Sequence, residues 1–150
     1  MILENLEQLT FTNTTNKFNF PLIKKIAEGR STNIKNFLLN QKLITGIGNI
    51  YASEILFDSL ISPDRKTNSL SDAEIKRILN STKKILNKAI QNCGTTFSDF
   101  QDSYGRIGSY GQYLKVYQRE NQICIKCKKN TIIRAKHSQR STYFCSYCQK

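Results

Sequence analysis

The sequence predicts a mainly α-helical fold, a helical bundle followed by a small metal-binding β-hairpin. Apolar residues recur at helical spacing between residues 20 and 93, and two Cys-x2-Cys pairs lie near the C-terminus. The 150 residues are enough for one domain plus a small module. We predict a linker or arm over 1–19, a helical domain over 20–112 and a metal-binding module over 113–150.

Four helices are predicted in the helical domain. Pro21 is tolerated in the first turn of the first helix. Two glycines in residues 46–49 (Gly-Ile-Gly-Asn) end the second helix and make a sharp turn, so a third helix begins near Asn49. Residues 71–74 (Ser-Asp-Ala-Glu) form a capping box at the start of the fourth helix, whose apolar residues follow one stripe. The predicted helices span residues 20–28, 33–42, 49–59 and 71–93.

The four C-terminal cysteines have the spacing of a zinc site. Two CxxC pairs, separated by 17 residues, match the pattern of a structural four-cysteine site. Four thiolates complete a tetrahedral shell, so we predict one structural Zn2+; two disulfides are the alternative. The spacer predicts a hairpin with arms over 131–135 and 141–145, and 113–118 predicts a further short strand. The predicted ligands are Cys124, Cys127, Cys145 and Cys148.

The charge of the chain predicts a polyanionic partner. Lys and Arg number 23 against 11 Asp and Glu, which gives a net charge of +12. The basic residues are spread along the chain, which suits a folded surface that faces phosphates. Charge alone does not distinguish DNA from RNA or ribosome binding. The sequence contains no run of 18 apolar residues, so we expect no membrane-spanning helix, and no secretory signal, so we expect a reducing compartment.

Three stretches of the sequence together resemble the C-terminal half of the formamidopyrimidine-DNA glycosylase and endonuclease VIII family. They are residues 40–54, 94–100 and 137–150. The resemblance covers about residues 18–150 and is closer to the formamidopyrimidine branch. It implies a helix–two-turn–helix DNA-binding domain followed by a zinc finger, and a role in base-excision repair. The partner it implies is double-stranded DNA, damaged or abasic.

The resemblance also implies which residues contact DNA. The family asparagine matching Asn49 contacts a phosphate beside the damaged nucleotide, and the arginine matching Arg140 binds the flanking phosphates. Gly48 lies at a helix N-terminus, where free amides and the helix dipole favour an anion. Lys42 and Tyr51 match further family positions at the DNA. From the residues alone, we would instead expect a plain N-cap at Asn49, an exposed lysine at Lys42 and a solvated turn residue at Arg140, and a core aromatic is the alternative for Tyr51.

Other polar residues are not assigned to the site. His137 is not needed as a metal ligand, because four cysteines complete the shell, so we expect it to be structural or exposed. Glu54 and Asp58 are spaced i, i+4, and we expect them on a solvated face rather than as an acid–base pair. Residues 97–111 match the family loop that covers an everted base, but Tyr113 and Gln118 depart from the family pattern, which leaves the lesion preference open.

The family's catalytic residues have no counterpart in this sequence. The resemblance implies a nucleophilic N-terminal proline followed by a glutamate, whereas the sequence begins Met-Ile-Leu. We therefore assign no catalytic residue and expect the chain to be inactive alone. The sequence leaves open whether a separate N-terminal half supplies the reaction. We expect a monomeric protein of the cytoplasm or nucleoid that binds damaged DNA as part of a glycosylase and abasic-site lyase. The alternative is a non-catalytic, zinc-dependent DNA-binding protein that acts alone.

Overall fold

The structure, a computed structural model, describes residues 19–44, 46–92 and 110–150. It contains helices α1 (Phe20–Glu28), α2 (Ile34–Leu39), α3 (Asn49–Ser59) and α4 (Asp72–Gln91), and strands β1 (Ile133–His137) and β2 (Arg140–Phe144). Short 3-10 turns lie at Thr67–Ser69 and Tyr110–Tyr113. The prediction of a mainly helical fold with a C-terminal hairpin is confirmed. The predicted arm up to residue 18 and most of the predicted base-covering loop lie outside the described residues.

The helices begin where polar side chains satisfy their first amides. Asn19 and Asn33 accept hydrogen bonds from the first turns of α1 and α2, and Ser71 and Glu74 form the predicted capping box of α4. Helix α2 ends three residues earlier than predicted. The Asn40 carboxamide accepts a bond from the Lys42 amide at 3.0 Å, and this local turn competes with continuation of the helix.

Helix α3 is the central element and packs against α2, α4 and β2. It is buried continuously from Ala52 to Phe57. A helix covered on all sides shows no polar stripe, so the expected solvated face for Glu54 and Asp58 is wrong. Glu54 is only 3% exposed. Asp58 is half-buried and bonds Ser81 and Lys84 on α4.

Besides the main apolar core between the helices, a smaller apolar cluster lies where α3 meets the hairpin. Phe57 of α3 extends into it and meets the metal-binding module. The strand predicted over 113–118 is not formed. The amides of Lys115, Val116 and Tyr117 instead donate to the Glu54 carboxylate at 2.8, 2.9 and 2.9 Å, so a side chain takes the place of a partner strand. The members of this cluster are Phe57, Val116, Cys124, Ile132, Tyr143 and Cys145.

The hairpin pairs antiparallel, with Ile133 opposite Phe144 and His137 opposite Arg140. A two-residue turn joins the strands, and both turn residues, Ser138 and Gln139, have positive φ (50° and 66°), as a type I′ turn requires. Arg140 therefore begins β2 instead of lying within the turn. The predicted arms are confirmed with a shift along the chain. No helix among the described residues has the length and apolar character that crossing a membrane requires.

Candidate nucleic-acid interface

The turn before α3 leaves the amide end of that helix open. Gly46 has φ 97°, a conformation that favours glycine. Gly48 is the exposed N-cap residue and offers no side-chain cap. Its own φ of −93° suits any residue, and a Cβ added there would meet no atom within 4 Å. Neither its backbone conformation nor protein packing therefore requires glycine at Gly48; what the absent side chain provides is open space beside the helix end.

The Asn49 side chain joins the helical domain to the hairpin. Asn49 is the first residue of α3, so the plain N-cap role considered for it is wrong. Its carboxamide oxygen accepts a bond from the Lys35 ammonium at 2.8 Å, and its nitrogen donates to the Ser141 carbonyl at 3.0 Å. Ser141 directly follows Arg140. The structure thus places the N-terminus of α3 beside the start of β2.

Arg140 is exposed, and its positive charge repels the buried ammonium of Lys35. Lys35, on α2, has no exposed surface. Burial, with a smaller contribution from the Arg140 guanidinium, lowers the pKa of Lys35 to about 8. Sequence reasoning missed Lys35. The available signal was a lysine within a short, mostly apolar helix (Ile-Lys-Asn-Phe-Leu-Leu). A lysine buried in such a helix requires hydrogen-bond acceptors.

The remaining two predicted DNA contacts differ in exposure. Lys42 is exposed in the turn that follows α2, so its side chain is accessible to a ligand. Tyr51 is half-buried in the first turn of α3 and packs against the core, with its ring 5.7 Å from that of Tyr110. The alternative interpretation of Tyr51 as a core aromatic therefore describes part of its environment.

His137 is structural and buried, at 8% exposure. Its Nδ1 lies 2.8 Å from the Thr142 hydroxyl and its Nε2 lies 2.7 Å from Asp64. The Thr142 hydroxyl in turn accepts a bond from Lys35 at 2.8 Å. Neither Thr142 nor Asp64 was singled out from the sequence, because nothing in the local spacing relates them to residue 35.

The four predicted cysteine ligands converge. Their sulfur atoms all lie within 4.8 Å of one another, and Cys124–Cys148 and Cys127–Cys145 are each separated by 3.8 Å. A disulfide requires about 2.05 Å, and the four thiols are free, so the disulfide alternative is wrong for this structure. Backbone amides of Asn130 and Lys129 lower the pKa of Cys127 to about 6, which favours its thiolate. The cluster could hold a metal ion.

Comparison with known proteins identifies the family. The family model described as "Formamidopyrimidine-DNA glycosylase H2TH domain" matches residues 9–101. The chain belongs to the formamidopyrimidine-DNA glycosylase family. A formamidopyrimidine-DNA glycosylase of Prochlorococcus marinus subsp. pastoris is 44% identical over 133 residues, covering 89% of this chain and 45% of the relative. Another from Prochlorococcus marinus is 40% identical over 149 residues, covering 99% of this chain and 52% of the relative.

Solved structures of the glycosylase family share the fold. The MutM (Fpg) protein of Thermus thermophilus has a TM-score of 0.84 and 33% sequence identity, covering 89% of this chain and 51% of that one. The Lactococcus lactis Fpg, solved in complex with DNA containing an abasic site, has a TM-score of 0.82 and 32% identity, covering 89% and 48%. The chain thus spans about half the length of the family members that it matches.

Proposed function

We propose that this chain binds the sugar–phosphate backbone of double-stranded DNA at a damaged or abasic nucleotide, as the DNA-binding part of a formamidopyrimidine-DNA glycosylase in base-excision repair. The observation that carries the proposal is the 3.0 Å bond from the Asn49 carboxamide to the Ser141 carbonyl. This bond brings the open N-terminus of α3 next to Arg140, so two anion-binding elements distant in sequence form one surface.

The surface has the chemistry of a phosphate site. First-turn amides of α3 have no partner within the helix, and the helix dipole favours negative charge there. The open space at Gly48 would allow a phosphate oxygen to approach the backbone. Arg140 supplies a planar guanidinium suited to bidentate phosphate contact, and Lys42 adds an exposed ammonium. We propose Lys42, Gly48, Asn49, Tyr51 and Arg140 as the contacts.

The family membership supports a role in excision of damaged bases. A glycosylase acts on a base that has been flipped out of the duplex, so the backbone on either side must be held. We assign that task to this chain and assign no catalytic residue to it. We propose that the nucleophile lies in the part of the glycosylase that this chain does not span, and that the protein works as a monomer in the cytoplasm or nucleoid.

The cysteine cluster fits one structural Zn2+. Four sulfurs about 2.3 Å from a tetrahedral zinc ion are about 3.8 Å apart, and two of the sulfur pairs are 3.8 Å apart here. Zinc bound by Cys124, Cys127, Cys145 and Cys148 would leave no position for water. Its role would be to fix the module that carries Arg140.

The proposal is tested by fluorescence anisotropy with a duplex that contains a tetrahydrofuran abasic analogue. Asn49→Ala and Arg140→Ala should each weaken binding by about tenfold or more, because each removes a hydrogen bond to a charged group. Arg140→Ala should also reduce the slope of log K against log salt by about 1. Arg30→Ala, which removes the same charge at an exposed position after α1, is the control. Equal affinities for Arg140→Ala and wild type would refute the proposed contact, and no duplex binding by wild type would refute the function.

A further inference from the structure

A chain of hydrogen bonds connects the candidate interface to the carboxylate of Asp64, in the loop after α3. Lys35 donates to the Thr142 hydroxyl at 2.8 Å, this hydroxyl lies 2.8 Å from His137 Nδ1, and His137 Nε2 lies 2.7 Å from Asp64. Lys35 and Thr142 have no exposed surface, and His137 is nearly buried. At its other end the chain continues through Asn49 to the Ser141 carbonyl.

The bonds in this chain run in one direction. Nε2 of His137 must carry a hydrogen, because an unprotonated nitrogen would place a lone pair against the Asp64 carboxylate at 2.7 Å. The Thr142 oxygen already accepts from the Lys35 ammonium, so its single hydrogen is free to be donated to Nδ1. With the His137 proton on Nε2, the Thr142 hydroxyl can accept from Lys35 and donate to His137 Nδ1. The charge of the buried ammonium is then linked, bond by bond, to the Asp64 carboxylate.

The three parts of the protein that these hydrogen bonds connect, α2, the hairpin and the loop after α3, also form a closed ring. Asp64 lies in the loop after α3, and the backbone on either side of it binds α2, through Ile34 N to Arg65 O at 2.7 Å and Lys35 N to Pro63 O at 3.5 Å. Helix α2 provides Lys35, and the hairpin provides Thr142 and His137. The ring therefore fixes the hairpin against the helical domain at the point where Asn49 and Arg140 meet.

We propose that Asp64 and His137 are positioning residues for the phosphate-binding surface, acting through Thr142 on Lys35 and Asn49. The proposal rests on the proposed DNA binding. Asp64 and His137 need not touch DNA in this role. They hold the Thr142 hydroxyl so that it accepts from Lys35, which in turn holds the Asn49 carboxamide in the orientation that binds the Ser141 carbonyl. Without them the two phosphate-binding elements lose their common alignment.

The first test compares Thr142→Val with Thr142→Ser. Valine has the same shape and lacks the hydroxyl, whereas serine keeps it. With the abasic-analogue duplex, we expect Thr142→Val to lose about fivefold to tenfold in affinity and Thr142→Ser to stay within about twofold. The salt slope should fall by about 0.9 for Thr142→Val, as one phosphate contact is lost. A fall in the folded fraction alone would leave that slope unchanged, and an unchanged slope with unchanged affinity overturns the proposal.

The second test uses the sign of a charge effect. Removing an acidic residue from a DNA-binding protein raises its affinity through general electrostatics, so Glu28→Ala, at the exposed end of α1, should bind DNA as well as wild type or better. Asp64→Ala removes the same charge, yet we expect it to bind about threefold to tenfold more weakly. His137→Phe should fall in the same range. Asp64→Ala binding as tightly as Glu28→Ala overturns the proposal.

A double-mutant cycle locates where the effect acts. If Thr142 acts through Asn49, Thr142→Val should cost much less affinity in the Asn49→Ala background than in wild type. Additive losses would instead indicate an effect that does not pass through Asn49 and would overturn the inference. Wild-type binding with no effect of these variants overturns this inference alone. Wild type that fails to bind the duplex overturns the proposed function and this inference with it.

Discussion

Replacement of Glu54 by glutamine should destabilise the junction between the helical domain and the metal-binding module. The Glu54 carboxylate is buried in α3 and accepts hydrogen bonds from three backbone amides of the segment that leads to the cysteine cluster. Burial raises the pKa of this carboxyl, and the three amides oppose that rise. All three partners are donors, so only the ionised carboxylate matches them. Glutamine has the same shape but presents one oxygen and one NH2 group.

The magnitude follows from the bonds that glutamine cannot make. Its best orientation turns the oxygen toward Val116 and Tyr117 and leaves the Lys115 amide facing the NH2 group. One hydrogen bond to a charged acceptor, worth about 1.5–3 kcal/mol, is lost, and the other two become neutral bonds of about 0.5–1.5 kcal/mol. Relief from burying a charge offsets part of this loss. We expect a net loss of about 3 kcal/mol, or roughly 6–12 °C in Tm for a chain of this size.

Urea unfolding and hydrogen exchange test this estimate. Glu54→Gln should lower the free energy of unfolding, and the amides of residues 115–117 should exchange faster than in wild type. Glu28→Gln makes the same chemical change at an exposed position and should stay within about 0.5 kcal/mol of wild type. If Glu54→Gln unfolds within 1 kcal/mol of wild type, as an order-of-magnitude limit, and the exchange of 115–117 is unchanged, the clamp does not stabilise the junction and the reasoning is wrong.

Two further predictions concern the metal and Lys35. Elemental analysis of the folded chain should find one zinc per molecule. Chelation should unfold the module around Cys124 and Cys145 and abolish tight duplex binding, while circular dichroism shows that α4 stays helical. Folded protein without zinc would contradict this prediction. Because the pKa of Lys35 falls from 10.5 to about 8 on folding, the unfolded chain binds more protons between pH 8 and 10 and stability should rise with pH there, by about 2 kcal/mol relative to Lys35→Met. Parallel pH profiles of the free energy of unfolding for the two proteins would show that Lys35 is not desolvated.

Local patterns predicted the elements of this fold well. The capping box at Ser71 and the glycine turn before α3 each lie within a few consecutive residues, and the cysteines form two short CxxC pairs. Each pattern has a direct physical cause in helix capping, turn geometry or metal coordination. The errors fell on α3 and on residues 113–118. A periodic pattern identifies a half-buried helix, but α3 is buried on nearly all sides. Glu54 was therefore predicted to be exposed. Residues 113–118, whose amides bind the Glu54 carboxylate, were predicted to form a strand.

The candidate site could be predicted only as separate parts. The resemblance supplied Asn49 and Arg140, which are 91 positions apart in the sequence, but not what holds them together. That task falls to polar side chains of α2, the loop after α3 and the hairpin, which match only in three dimensions; among them are Lys35, Asp64 and Thr142. The one clue in the sequence is a lysine within α2, and its burial can be inferred only when its acceptors are known.

The position of Lys35 also explains why the two modules are expected to act as one. An ammonium removed from water is stable only while its acceptors stay in place. One acceptor, Asn49, belongs to α3, and the other, Thr142, belongs to the hairpin. Separation of the modules would break the bond from Lys35 to Thr142 and open the apolar cluster around Phe57. These contacts hold the N-terminus of α3 beside the start of β2, so under the proposed function this arrangement need not be ordered on DNA binding.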